Sequence, residues 1–249
     1  MNKNIIVTGG AQGIGKIVSQ ELLKNGYSVS VFEIDQEAID EFQDEIESSE
    51  IAFFQTDVSD EESVKKSVDS AIQKFGNISG LINNAGIFFY KPITELSLET
   101  WNRVIGTNLT GAFLCTKHTA SYLKKSNGSI INLCSTRALQ SEPDTESYAA
   151  GKGGILALTH AMAISLGPEI RVNCISPGWI DVSGVKKKSQ VNQMKLREKD
   201  HKQHPAGRVG KAEDIANMIL FLLNPENDFI TGQNFIADGG MSRKMIYEH

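Results

Sequence analysis

An apolar run, "KNIIVT" (Lys3 to Thr8), breaks into the glycine-rich "TGGAQGIG" (Thr8 to Gly15) and continues as "GKIVSQELLKNG". In that last stretch Ile17, Val18, Leu22 and Leu23 recur with helical period up to a stop at Gly26. Short β-rich runs and longer helical patterns then alternate along the chain. "YSVSVFE" (27 to 33), "IAFFQT" (51 to 56), "ISGLINN" (78 to 84), "GSIINLC" (128 to 134), "EIRVNCIS" (169 to 176) and, near the end, "GQNFIAD" read as further strands. Helical stretches lie between them, such as "DEESVKKSVDSAIQKFG", with an Asp cap at Asp60 and a stop at Gly76. This alternation predicts βαβ units and so an α/β fold: a Rossmann-type, doubly wound parallel sheet with helices on both faces. No linker, low-complexity run or further repeat interrupts the 249 residues, which predicts a single domain over 1–249.

The glycine turn also carries chemistry. Glycines 9, 13 and 15 give G-x-x-x-G-x-G, which is not the G-x-G-x-x-G of the general dinucleotide fingerprint. The physics is shared: permissive backbone makes a tight turn, and the helix N-terminus behind it offers free N–H groups to a pyrophosphate. Gly-rich turns between strand and helix are common, so the turn alone is a weak signal. Glu33 strengthens it. It ends the second strand 18 positions past Gly15, where an acidic side chain accepts hydrogen bonds from an adenosine ribose and repels a 2′-phosphate. No Arg or Lys occurs from Tyr27 to Ser49, so NAD(H) is expected rather than NADP(H). A solvated Glu at a strand end is the plainer reading of the residue taken by itself.

Composition narrows the partners. With 25 basic and 30 acidic residues the net charge is −5, and no global field favours nucleic acid or an anionic membrane. No apolar run approaches the roughly 20 residues of a membrane span, and the first apolar segment is too short for a signal-peptide core. Cys115, Cys134 and Cys174 are odd in number, scattered and set in apolar surroundings, as expected of reduced thiols in a cytoplasmic protein. The histidines are too dispersed to propose a metal site. Neither nucleic acid nor a membrane is therefore expected as a partner.

In "ESYAAGKGG" (Glu146 to Gly154) a tyrosine and a lysine stand four residues apart, one helical turn on the same face. Such pairs are common and usually mean nothing. Alcohol oxidation needs a base at the hydroxyl, and carbonyl reduction needs an acid there. A free tyrosine has pKa ~10, and bringing one to neutrality takes about 4 kcal/mol. One ammonium ~4 Å away at an effective dielectric of ~20 supplies about that as an upper figure, and Lys152 is one turn from Tyr148.

At this point the chain resembles the short-chain dehydrogenase/reductase family, over essentially its whole length. "TGGAQGIG" is similar to that family's cofactor turn, "DV" (Asp57, Val58) to its adenine-contacting pair, and "NNAG" (Asn83 to Gly86) to its fourth-strand signature. "SPGWI" from Ser176 resembles its turn near the nicotinamide, while "GRVG", "TGQ" and "ADGG" resemble its C-terminal signatures. The resemblance implies a catalytic tetrad of Asn108, Ser135, Tyr148 and Lys152. In it Tyr148 is the acid or base, Ser135 binds the substrate oxygen, Lys152 also holds the nicotinamide ribose, and Asn108 anchors a relay water. It further implies cofactor contacts from Gly9, Gln12, Gly13, Ile14, Gly15, Glu33, Asp57, Val58, Asn84, Ala85, Gly86, Tyr148, Lys152, Pro177, Gly178 and Ile180, and a homotetramer. Two positions depart from the family's pattern. Gly151 stands where Ser usually precedes the lysine, and Val182 where Thr often bonds the carboxamide, with Ser183 beside it.

The substrate end is less legible. Phe88, Phe89, Tyr90 and Trp179 fit an apolar pocket, but equally the core or a subunit contact. Arg137 fits a substrate carboxylate or phosphate, or a salt bridge to Glu142 or Glu146. Between Ser183 and His204 the chain carries seven cations and two carboxylates, a local +5. Its helical pattern predicts a substrate lid over 183–205 with a basic outer face, either simply solvated or selecting anionic substrates. The expected activity is an NAD(H)-dependent alcohol dehydrogenase or carbonyl reductase. A 3-oxoacyl thioester reductase, or a catalytically silent NAD(H)-binding sensor or scaffold, are the alternatives.

Overall fold

The computed structural model of the chain describes residues 3–191 and 195–245. Seven strands form one parallel sheet: β1 (Asn4–Thr8), β2 (Ser28–Glu33), β3 (Ile51–Gln55), β4 (Gly80–Asn83), β5 (Ser129–Leu133), β6 (Arg171–Pro177) and β9 (Asn234–Ala237). Their order is β3-β2-β1-β4-β5-β6-β9. Two short strands, β7 (Ile180–Asp181) and β8 (Gly210–Lys211), pair separately. The strand order reverses between β1 and β4, so the connections leaving these two strands diverge and open a crevice at their carboxyl ends.

Period-two alternation splits the sheet's side chains between two cores. Ile5, Val7, Val29, Val31, Ile82 and Ile131 pack against α1 (Gly13–Lys24), α2 (Gln36–Glu45) and α8 (Ala212–Leu223). Ile6, Phe32, Leu81 and Ile130 pack against α3 (Glu61–Phe75), α5 (Gly111–Lys125) and α6 (Glu146–Leu166) on the other face. Because both faces are covered, β1, β2, β4 and β5 are buried at every residue. The buried polar residues of the strands are paired: Ser30 Oγ donates to Asn4 Oδ1 at 3.0 Å, and Asn83 Nδ2 to Asn132 Oδ1 at 2.8 Å.

Helix starts follow their caps. Asp35, Asp60 and Ser97 each accept an N–H of the following first turn, opening α2, α3 and α4 (Leu98–Ile105). Between α4 and α5 the chain adds a π-turn, Gly106–Thr110, which the sequence reading did not foresee. The insert follows Asp181. Among the described residues its helical pattern is met only in part, by 3-10 turns at Ser183–Val185 and Lys188–Gln190 and a short helix, α7 (Glu198–Lys202). Residues 192–194 of the expected lid lie outside the described residues.

Candidate active site

The crevice at the β1/β4 reversal is a cleft of about 660 Å³. One wall is the glycine turn. Gly9 and Gly13 take φ of +59° and +60°, which L side chains rarely adopt. A Cβ on Gly15 would lie 2.0 Å from Gly9 O and 2.6 Å from Asn84 Nδ2, so Gly15 shapes the turn from behind rather than lining the cleft. Asn84 fixes the turn from the β4 side: its Nδ2 donates to Thr8 O and Gly9 O at 2.9 and 3.0 Å. Thr8 Oγ1 in return accepts from the N–H groups of Asn84 and Ala85, both at 3.0 Å. Sequence reading had not singled out Thr8.

The site fits a dinucleotide on this chain's own geometry. No side chain caps α1, and its first turn carries no acidic residue, so the N–H groups and positive dipole end behind Gly13 are available to a pyrophosphate. Nothing would crowd even a Cβ on Gly13 within 4 Å, which leaves room for close approach. Farther along the cleft stand Glu33, Ile34, Asp57 and Val58, in the places expected to meet an adenosine. Glu33 is buried, and burial raises its carboxyl above the ordinary range, against N–H groups from Asp35, Ala11 and Ile34 that lower it. Oε1 takes Ile34 and Asp35, leaving Oε2, with one 3.4 Å contact from Ala11, as the freer acceptor.

The opposite end of the cleft gathers Ser135, Tyr148 and Lys152, with Pro177, Gly178, Ile180 and Val182 beneath. Ser135 follows β5 and caps a short 3-10 turn, its Oγ accepting the Arg137 N–H at 3.1 Å. That leaves its O–H free to donate. Tyr148 and Lys152 project from the first two turns of α6, with Lys152 Nζ 5.6 Å from the centre of the tyrosine ring. Lys152 is only 4% exposed, and Nζ donates to Leu133 O at 2.6 Å. Cys134 Sγ donates to Lys152 O at 3.2 Å and ties α6 to the end of β5.

Asn108 lies in the π-turn, buried, with Oδ1 accepting from Ile87 N at 2.8 Å and Nδ2 donating to Ile87 O at 2.9 Å. Its side chain is therefore committed to the loop after β4 and is not itself part of the cleft wall. A Cβ on Gly86 would sit 3.4 Å from Asn108 Oδ1 and 3.7 Å from Lys152 Nζ, so the three meet at one point. At Gly151 a Cβ would be 3.5 Å from Asn108 Cβ, an ordinary contact; this departure from the family's pattern leaves the packing intact. Val182 lines the cleft, whereas the Ser183 N–H turns back to Asp181 Oδ1 at 3.0 Å.

The expected substrate residues divide. Phe88 lines the cleft and meets the Tyr148 ring edge-to-face at 5.0 Å. Arg137 stacks on Phe88 at 4.9 Å and is ion-paired to Glu142, the salt bridge the sequence offered as one reading. Tyr90 joins them, accepting from Arg137 Nη2 and donating to Glu142 Oε2, each at 3.0 Å. Trp179 does not line the cleft, its ring lying 6.2 Å from that of His204, while the next residue, Ile180, does. The insert supplies two lining residues that sequence reading did not place here, Lys186 and Gln190, which flank the Lys187 paired with Asp35.

The chain is similar to known proteins over nearly its whole length. Residues 9–242 match the family model described as enoyl-(acyl carrier protein) reductase. An uncharacterized oxidoreductase of Thermotoga maritima is 50% identical over 99% of this chain and 98% of its own. The 3-oxoacyl-[acyl-carrier-protein] reductase of the same organism is 35% identical over 96% and 97%. Among solved structures, an apo SCOR enzyme from Clostridium thermocellum superposes with a TM-score of 0.90 at 42% identity, covering 99% of this chain and 96% of that one. ElxO with NADP bound gives 0.87 at 33% identity, covering 98% and 100%.

Proposed function

The chain belongs to the short-chain dehydrogenase/reductase family of oxidoreductases, and from that membership we propose that it moves a hydride between NAD(H) and a secondary alcohol or carbonyl. One observation carries this reading: Ser135, Tyr148 and Lys152 converge at one end of the cleft whose other end is the glycine turn and Glu33. When bound, the nicotinamide supplies or accepts the hydride. The chain's own residues hold the substrate oxygen and move its proton.

The free O–H of Ser135 donates to the substrate oxygen, because Oγ already spends an acceptor site on Arg137 N. Tyr148 gives its phenolic proton to that oxygen in reduction and takes it back in oxidation. The Lys152 ammonium, over the ring of Tyr148, stabilises negative charge as it develops there. Leu133 O holds Nζ in place. Asn108 keeps the π-turn and the loop at Ile87 in register, and the widened backbone of that turn is where a relay water to Lys152 would be held. Phe88 sets the orientation of the Tyr148 ring from the substrate side.

The buried acceptor of Glu33 supports NAD(H) over NADP(H), since a 2′-phosphate beside a carboxylate is repelled. A second reading, reduction of a 3-oxoacyl thioester, draws on the Thermotoga maritima relative of that name. A silent sensor would have no use for all four tetrad residues, which argues against that class. The family resemblance implies a homotetramer, and the exposed apolar side chains of Phe113 on α5 and Ile164 on α6 support a contact between copies at these helices. The test is nucleotide oxidation by the purified protein over sugars, keto acids, oxoacyl thioesters, steroids and small ketones, run with NADH and NADPH in parallel. Turnover with NADH on one class is the expected result; turnover with NADPH alone overturns the cofactor assignment, and preference for oxoacyl thioesters selects the second reading.

A further inference from the structure

Two charge asymmetries of the sequence meet in the fold. Helix α2 and its cap carry Asp35, Glu37, Asp40, Glu41, Asp44 and Glu45 with no Lys or Arg among them. The insert, far away in sequence, carries the excess of cations. In the structure Lys187 Nζ lies 2.7 Å from Asp35 Oδ2 and 2.8 Å from Glu37 Oε2, with its side chain only 14% exposed. The next residue joins in, the Lys188 N–H donating to Glu41 Oε2 at 2.8 Å. Both carboxylates are held below their ordinary range, Glu37 by Lys187 and Asp35 by Lys187 against the cost of burial.

These contacts decide where the insert runs. It lines the cleft at Ile180, Val182, Lys186 and Gln190 and is fastened to Asp35, Glu37 and Glu41, just past Glu33 and Ile34 of the same cleft. The basic segment therefore faces the acidic helix, and Lys187, the residue at its middle, is spent there rather than on a substrate. A single surface ion pair adds little to stability, but here one ammonium bridges two carboxylates and a backbone N–H takes a third. Fastening a loop this way matters where opening the loop is the step that limits release.

We infer that Lys187 clasps the insert across the adenosine half of the cleft and so sets how long a bound dinucleotide stays. It is a positioning residue, acting through the insert and touching neither cofactor nor substrate. The inference rests on the cleft's holding a dinucleotide, but not on which substrate is reduced.

The experiment measures NADH and NADPH dissociation by stopped-flow fluorescence from the parent protein, Lys187→Glu, and Lys187→Glu with Glu37→Lys. Backbone hydrogen exchange of residues 183–191 is followed in each without nucleotide. Lys187→Glu should release the preferred nucleotide about tenfold faster and lose protection over 183–191, with the melting temperature unchanged. The added Glu37→Lys, which rebuilds one ion pair in reverse, should recover a substantial part of both. Unchanged protection in Lys187→Glu would show that the clasp does not hold the insert. Lost protection with dissociation within twofold of the parent would show that the insert does not retain the nucleotide. A parent protein that retained neither nucleotide would overturn this inference and the dinucleotide reading together, which separates that failure from the other two.

Discussion

One hydroxyl separates tyrosine from phenylalanine, and at position 148 that hydroxyl is the proposed acid and base. Tyr148→Phe keeps the edge contact with Phe88 and the ring under Lys152 while removing the transferable proton. Turnover should fall by at least a hundredfold, the usual scale of lost acid–base catalysis, with nucleotide affinity retained in a fluorescence titration. Wild-type-like turnover would refute the assignment. At the other end of the cleft, Glu33→Ala with Ile34→Arg exchanges an acceptor for a guanidinium that pairs with phosphate. The ratio of kcat/KM for NADP(H) over NAD(H) should rise by tenfold or more, and an unchanged ratio would dismiss the role given to Glu33. At this scale the sequence revealed which residue types the chemistry needs, because a family motif is a string of residues. It left Arg137 undecided, because whether a cation meets Glu142 or a substrate depends on where an exposed loop folds back.

Elements show how local rules were obeyed or overridden. Asp60 was legible as the cap of α3, and its Oδ1 accepts from Ser63 N at 2.8 Å. Asp60→Ala should cost about 1 kcal/mol in urea unfolding. In α7, Asp200 is bound by Arg197 through side-chain and backbone hydrogen bonds, which lower its carboxyl from the usual 3.8 to about 2. A lowered carboxyl stabilises the fold above its unfolded value and loses that contribution as pH falls through the folded one. The melting temperature of the parent should therefore fall faster than that of Asp200→Asn between about pH 4 and 2, and parallel curves would refute the assignment. The π-turn at Gly106–Thr110 was not legible, since "GTNLT" has no local preference for it. Tertiary bonds from Asn108 to Ile87 hold it in place. The insert is helical only in short pieces among the described residues for the related reason that its helical pattern competes with the pull of α2 on Lys187 and Lys188.

At the scale of the molecule, one sheet serves two cores and one cleft. Among the described residues no helix is long and apolar enough to cross a membrane. Yet Ile164, on α6, is 85% exposed, a large apolar side chain facing outward from a helix that also positions Tyr148 and Lys152. In the proposed tetramer such a side chain would be covered. Ile164→Glu should therefore lower the mass seen by sedimentation velocity while leaving the far-ultraviolet spectrum intact; an unchanged mass would remove α6 from the interface. Activity per protomer would then report whether assembly steadies the catalytic helix.

Periodicity, caps and glycines act over a few residues, and so the chain alone determined the seven strands of its sheet, the extents of α1 and α3 and the α/β class, while the proposed turn and tetrad residues rest on the family resemblance. The meeting of Thr8 with Asn84, of Asn108 with Ile87 and of Lys187 with α2 joins segments tens to more than a hundred residues apart. Such contacts are set by the order of strands in the sheet and by charges that find each other only once the sheet exists, so only the tertiary structure could decide them.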